Sequence, residues 1–530
     1  MKSKLHVFAF LSLVLILVLS TACQPGPAAE PQARKQLIVA QVDEPPNMDA
    51  QQANWTTMPH SWISQPLLMF SLDMTELVPD LATSWEILDD GLKIIWHLPE
   101  GYTYSNGDPL TAQTLKDSWE RYKEISPYAA DLEPIIEMNV IDETTLEAIH
   151  SVAPAFMMAV LASDYGSPWD AAEAAKIGDE AFGRTPIGSG PFYLKEWVEG
   201  SHMILARNDK FKTNLPFVQN KGPVYLEEVK VRFIPEDLTR ASELEAGTVD
   251  IVLDLPVSEV ERFKNNPEVV VYESKVPGLT YIVFNHSRPP FDDLKLRTAV
   301  SMAINREEIV KTLDNTVEAQ YSYLSPAMLC SSEEMQQYAS EKYPFDLEAA
   351  KALLAEAGWT DTDGDGVVDK DGQPLAVTLI NSSDDVRRDK IGPVVKAQLE
   401  ALGMTVQIAM YAGNADREVY YSGEFDIGLS RTSWPDPDIL TYIVGSSYEN
   451  YAHYASAEVD AKLDEARYIM DLDERTLKYN EVQKILIDDI VYVPLFWPYS
   501  YMGVRAEVKN LVFHSSYSGL PYLNDVTIED

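Results

Sequence analysis

Basic residues and cysteines are what this chain has little of. Against 83 Asp and Glu it carries 42 Lys and Arg, a formal net charge of -41. Such a surface repels a polyanion unless a basic patch is set aside for it, and no segment supplies one, so nucleic acid is excluded as a partner. The acidic residues are spread along the chain instead of gathered in a tail, which reads as a solvated surface. Two cysteines, Cys23 and Cys330, cannot staple 530 residues. Stability must come from buried apolar surface, in two to three domains at this length, and Cys330 reads as a small buried residue. Two catalytic signatures are also missing, the Gly-x-Ser-x-Gly elbow and the His-Glu-x-x-His zinc helix. An exported hydrolase would have only scattered carboxylate pairs to work with. Beyond Leu19 no apolar run approaches the roughly 18–20 residues that span a bilayer.

What is present starts at the first residues. Lys2 and Lys4 precede a nearly unbroken apolar run from Leu5 to Leu19, followed by Ser20-Thr21-Ala22-Cys23. This is the layout of an export signal over residues 1–22. The order Leu19-Ser20-Thr21-Ala22-Cys23 resembles a bacterial lipobox, with Ser20 where leucine usually stands. The resemblance implies that Cys23 is lipidated, giving a membrane-anchored lipoprotein facing the periplasm or the cell exterior. An ordinary signal peptide cut nearby is the alternative. Gln24 to Lys35 is rich in Pro, Ala and Gln with nothing to bury, so residues 23–35 form a flexible tether.

The remainder reads as α/β. Leu37–Val42, Gly91–Leu98 and Val229–Ile234 are strand-like, and Thr111–Lys123 and Leu238–Ala246 helical, the latter stopped by Gly247. Leu296, Ala299, Val300, Ala303 and Ile304 place one apolar face on a helix. Asn305 with Glu308 predicts a capping box, and Asp346 a cap for Leu347–Ala357, closed by Gly358. Leu375–Ile380, Lys390–Leu402 and Met404–Met410 form a strand–helix–strand unit, which predicts parallel pairing.

Five separated segments, in order, resemble the extracellular solute-binding proteins of family 5, the oligopeptide- and dipeptide-binding components of ABC importers. They are Leu77 to Glu86 with Asn106 to Ala112; Pro186 to Phe192 with Glu196-Trp197; Pro290 to Glu307; Ala349 to Trp359; and Asp473 to Gln483 with Tyr492 to Leu495. The resemblance implies a type II periplasmic-binding-protein-like α/β fold of two lobes, with a hinge of two crossings and an inserted domain. Lobe I would comprise residues 36–72, 185–274 and 499–530, the inserted domain 73–184, and lobe III 275–498. It further implies a monomer, no catalysis and no required cofactor. An oligopeptide would be captured between the lobes and delivered to the transmembrane subunits of a permease. An oligosaccharide is the rival cargo, given 27 Tyr and 10 Trp.

Candidate site residues follow from the same resemblance. In the family's peptide binders an acidic residue before an aromatic-Pro-Asp-Pro stretch often pairs with the ligand's ammonium. Here Arg431-Thr432-Ser433-Trp434-Pro435-Asp436-Pro437-Asp438 places Ser433 there, and a hydroxyl cannot supply that charge. Arg431 suits a carboxylate or polyol, Trp434 a stacking wall. Asp436 and Asp438 read as turn and cap residues. Tyr281 and Asn285 share one face of the strand past the first crossing, Trp497 and Tyr499 approach the second, and Trp55 is a further candidate. Asp361, Asp363, Asp365 and Asp369 have the spacing of a Ca²⁺ loop, with Gly372 where a bidentate Glu is expected, so the choice lies between a structural calcium site and a plain hairpin.

Overall fold

The computed structural model describes residues 34–74, 76–412, 415–448, 450–514 and 519–529. The export signal, Cys23 and all of the tether but its last two residues lie outside the described residues. Among the described residues no helix is long and apolar enough to cross a membrane.

Two sheets share one long strand. The first runs Phe192–Val198, His202–Arg207, Glu228–Phe233, Gln36–Gln41, Ile251–Val252 and then the C-terminal half of Tyr492–Arg505, with Val269–Lys275 also paired to that strand. Gln36–Gln41 is parallel to both of its neighbours, so the C-terminal ends of Gln36–Gln41, Glu228–Phe233 and Ile251–Val252 open at one edge. The second sheet runs Thr405–Tyr411, Ala376–Ser382, Ile427–Ser433, Gly278–Phe284 and the N-terminal half of Tyr492–Arg505, with Val317–Ala319 beside it. Ala376–Ser382 and Thr405–Tyr411 are parallel, as the strand–helix–strand pattern requires.

The chain passes between the sheets at Val276-Pro277 and again at Pro498-Tyr499. Lys275 lies opposite Tyr499 and Thr280 opposite Phe496, and the Val276 N–H donates to the Pro498 carbonyl at 3.2 Å. Two adjacent strands thus cross together, the geometry of a hinge.

A separate antiparallel sheet of Ser84–Leu88, Lys93–His97, Thr145–His150 and Ile135–Val140 packs under the helix Ala112–Ile125. That helix starts at Thr111, whose hydroxyl accepts from the Thr114 N–H, and it buries Leu115, Trp119 and Tyr122. Trp96 meets Trp119 edge-on at 6.0 Å, a favoured aromatic geometry.

Helix starts follow the caps read from sequence, with two differences. Asn305 accepts from the Glu308 N–H, but the reciprocal half of the capping box is absent: the Asn305 N–H donates to Gln398, whose amide also holds the Glu308 carboxylate at 2.8 Å. The helix expected from Lys390 begins at Val386, because Asp385 accepts from the N–H groups of Arg387 and Arg388 and adds a turn.

Strand Gly278–Phe284 is buried along its whole length. Its period-two faces pack into different cores: Ile282 and Phe284 with Leu296 and Val300, and Tyr281 and Val283 with Tyr420 and Tyr479. The turn at Gly188 to Pro191 packs on the end of the helix Met58–Ile63. A Cβ on Gly190 would stand 2.5 Å from the Ser64 carbonyl oxygen and 2.6 Å from the Ile63 carbonyl carbon, so glycine is needed for close backbone approach.

Candidate functional site

A cavity of about 270 Å³ opens at the carboxyl ends of Gln36–Gln41 and Ile251–Val252, beside the double crossing. Gln41, Asp43, Trp55 and Asp254 line it from the first lobe, and Ser274 and Ser500 from the crossing strands. Open α/β sheets place ligands at this edge, since side chains and loops converge there from parallel strands. Ser274 and Ser500 share a hydrogen bond of 2.6 Å across the two strands.

The loops leaving the two parallel strands carry Asp43 and Asp254. Both are solvent-exposed, yet protein surrounds Asp254 at longer range, as at the floor of a cleft. That surrounding mass raises the Asp254 carboxyl pKa, and the Asp43 charge pushes it the same way. Trp55 is 42% exposed beside them.

The cavity lining comes from the first lobe and the crossing strands; the second lobe brings the start of the helix Val386–Ala401 and the end of the strand Ile427–Ser433 to the second crossing at Tyr499. Asp385 caps the helix and lies 3.0 Å from the Arg431 guanidinium. Arg387 donates from Nη2 to the Tyr499 carbonyl at 2.8 Å, while its Nε is buried without a partner. Burial lowers the Arg387 pKa; Asp385 raises it, and Asp254 on the other lobe is close enough to do so as well.

The residues proposed from sequence divide into two groups. Arg431 and Ser433 are exposed at the end of their strand, with Ser433 opposite Gly278 and so next to the first crossing. Tyr499 is partly buried at the second crossing, where its hydroxyl donates to Glu318. These three and Trp55 lie around the hinge. Trp434 is half-buried; its N–H donates to the Pro277 carbonyl at 2.8 Å, and its ring packs on the core of the inserted domain.

The other three are structural. Tyr281 is fully buried and lies 4.5 Å ring to ring from Tyr492. Asn285 is also fully buried: its amide nitrogen donates to the carbonyls of Gly423 and Phe425, and its oxygen accepts from the Ser287 N–H and hydroxyl. No hydrogen-bonding capacity is left for a ligand. Trp497 is only 2% exposed, behind Tyr499.

Asp436 does form the expected turn, accepting from the Asp438 N–H, but both aspartates also make buried ion pairs. Asp436 binds Arg475 through two hydrogen bonds of 2.7 and 2.8 Å, and Asp438 binds Arg467 at 2.9 Å. Burial raises the Asp438 pKa to about 7.

In the acidic loop the carboxylate oxygens of Asp361, Asp363 and Asp365 lie within 4.8 Å of one another, all exposed. Asp361 accepts from the N–H groups of Gly364 and Gly366, so the loop is already tied as a turn. Asp369 is not part of the cluster: it accepts from the Thr362 N–H and hydroxyl and belongs to the hairpin Asp369–Lys370/Gln373–Pro374. The donors fit a hard cation in type, but in number they fall short of the six to eight oxygens calcium takes, unless water completes the set.

A family model described as "Bacterial extracellular solute-binding proteins, family 5 Middle" matches residues 76–452. The chain belongs to the bacterial extracellular solute-binding proteins of family 5. It is 28% identical over 526 residues to the "Probable D,D-dipeptide-binding periplasmic protein DdpA" of Escherichia coli (strain K12), covering 96% of each chain. It is 24% identical over 563 residues to the "Oligopeptide-binding protein AppA" of Bacillus subtilis (strain 168), covering 97% of each. Among solved structures, AppA from Bacillus subtilis in complex with a nonapeptide aligns with a TM-score of 0.77 at 24% identity, over 94% of this chain and 100% of that one. NikA from Brucella suis in complex with Fe(III)-EDTA aligns with a TM-score of 0.81 at 21% identity, over 93% and 100%. Their shared architecture is the two-lobed type II periplasmic-binding fold, and this family 5 chain has its lobes joined by the strand pair described above.

The cleft residues missed from sequence are Asp43, Asp254, Asp385 and Arg387. A usable signal existed for Asp254, a polar residue at the end of the short apolar strand Ile251–Val252. Parallel pairing across 212 residues, which makes that end a ligand edge, is not visible locally.

Proposed function

We propose that this chain is the substrate-binding component of an ABC importer, capturing an oligopeptide between its lobes and handing it to the transmembrane subunits of a permease. The observation that carries this reading is the hinge of two adjacent strands with a cavity of mixed polar and apolar lining beside it, in a chain matched nearly end to end by peptide-binding relatives. Ligand that touches both lobes favours the closed arrangement by its differential affinity for that state. Trp55, Arg431, Ser433 and Tyr499 contribute to the cleft, and Trp434 holds the inserted domain against the second lobe.

Lipidation at Cys23 would keep this monomeric capture module beside its permease at raised local concentration. Mass spectrometry of the mature N-terminus tests it, and an unmodified terminus elsewhere overturns it. Thermal shift with defined di-, tri- and nonapeptides tests the cargo, since stabilisation follows RT ln(1 + [L]/Kd). Exposed Trp55 and the uncharged Ser433 favour an oligosaccharide as the second reading; a shift with xylo- or cello-oligosaccharides and none with peptides would replace the peptide reading. A structural calcium ion at Asp361, Asp363 and Asp365 is a separate proposal. Equilibrium dialysis after chelator treatment, with no ion retained at millimolar supply, removes it.

A further inference from the structure

Three buried arginines of the second lobe sit in ion pairs: Arg388 with Asp416, Arg467 with Asp438 and Arg475 with Asp436. Arg306 is as deeply buried, 3% exposed, and among the described residues no carboxylate pairs with it. Its Nε donates to the carbonyls of Gln320 at 3.0 Å and Pro494 at 2.7 Å, and its guanidinium lies 4.2 Å from the centre of the Tyr321 ring. Its Nη1 is buried without a partner. The Tyr321 phenol is the one titratable group among the described residues whose charge reaches it, so burial without a counter-charge lowers the Arg306 pKa to about 10.

A cavity of about 10 Å³ lies against this guanidinium. A single water needs roughly 10–15 Å³, so the space takes one small particle. Ser301, on the helix Leu294–Ala303, also lines it, and among the described residues its hydroxyl has no hydrogen bond to protein. The Tyr323 hydroxyl, by contrast, is already shared between the carbonyls of Leu486 and Tyr492. Tyr321 and Tyr343 are the partly exposed walls, and no residue lines both this cavity and the one beside the hinge.

An unopposed buried charge is costly, and an orphaned buried donor adds to that cost. A water would accept from Nη1 but leave the charge unopposed. A halide does both, accepting charge-assisted hydrogen bonds while it neutralises the guanidinium. We propose that Arg306 and Ser301 hold one monovalent anion of chloride's size inside the second lobe, apart from the cargo cleft. Sulfate and carboxylate-bearing molecules are too large for the space. The anion fixes the guanidinium that ties Gln320 to Pro494, on the strand that runs on to the second crossing. Occupancy therefore stabilises the lobe beside the hinge by mass action.

Scanning calorimetry of the whole protein in sodium chloride and in sodium gluconate at equal ionic strength, together with bromide-soaked crystals, tests the site. In wild type chloride should raise the transition of the second lobe, and bromide should give an anomalous peak within hydrogen-bonding distance of Arg306 Nη1. Arg306→Met should abolish the chloride dependence. Where Arg306→Met does not fold, Ser301→Ala decides. It should keep the wild-type midpoint in gluconate and need at least about tenfold more chloride for the same rise, the size of one lost hydrogen bond to a charged group. Equal wild-type midpoints in the two salts mean a trapped water only and overturn the site. Bromide density with no effect in solution means an adventitious ion only and overturns it too. A chloride response that both variants retain in full places the ion elsewhere and does the same.

Discussion

Replacing Asp436 by Asn isolates one of the strongest interactions beside the cleft. Asp436 is 1% exposed and Arg475 3%, and the pair makes two parallel hydrogen bonds of 2.7 and 2.8 Å. Burial by itself would lower the Arg475 pKa; the Asp436 charge and hydrogen bonds more than reverse this and push it up. Neutralising Asp436 leaves a buried guanidinium without its counter-charge, and its Nε already lacks a partner. Two hydrogen bonds to charged groups are worth about 3–6 kcal/mol together, and breaking a buried pair from one side costs about 3–5 kcal/mol. We expect a loss of about 4 kcal/mol, confined to the lobe that contains the pair. For a unit of roughly 150–250 residues each kcal/mol moves Tm by about 2–4 °C, so that transition should fall by about 8–16 °C. Differential scanning calorimetry is the right assay, because a chain of several domains does not unfold in one step. Asp436→Asn, Arg475→Met and the double variant complete a cycle in which the double should be far less damaged than the sum of the singles. A shift under about 2 °C for Asp436→Asn, or simple additivity, would refute the reasoning.

Asp131, which accepts hydrogen bonds from Tyr442 and Tyr122 between the inserted domain and the second lobe, has its pKa raised by burial to about 6. A raised carboxyl pKa means that the folded state favours the proton, so this contribution is complete below about 4 and is lost as pH rises through about 6, by at most about 3 kcal/mol. Urea midpoints from pH 4 to 7 should therefore decline in wild type relative to Asp131→Asn, and a flat difference curve would disprove the coupling. Gly190→Ala should cost about 1–3 kcal/mol through its collision with the backbone at Ile63 and Ser64, read as a lower calorimetric Tm. Asn285→Ala should lower stability by about 1–3 kcal/mol by removing the donor to the buried Phe425 carbonyl and the half-buried Gly423 carbonyl. Its effect on affinity at saturating folded protein should be nil, and a selective loss of ligand would return it to the cleft.

Much of the fold was legible because it is written at short range. Caps such as Asn305 and Asp346, stops such as Gly247 and Gly358, and the alternation from Tyr281 to Asn285 depend on residues a few positions apart. Alternation did not say which face of that strand is open. It lies inside a sheet covered on both sides, so Tyr281 and Asn285, read as cleft residues, are buried.

From sequence alone came the acidic composition, the α/β pattern and the family, with an export signal as an expectation. Tertiary structure decided what each polar residue does. Asp436 reads as a turn residue until Arg475, 39 positions away, is packed against it, and Asp254 as a loop residue until parallel pairing opens a cavity at its strand end. The reason is physical: periodicity and capping are local properties of the backbone, whereas desolvation and charge pairing depend on which distant segments the core brings together.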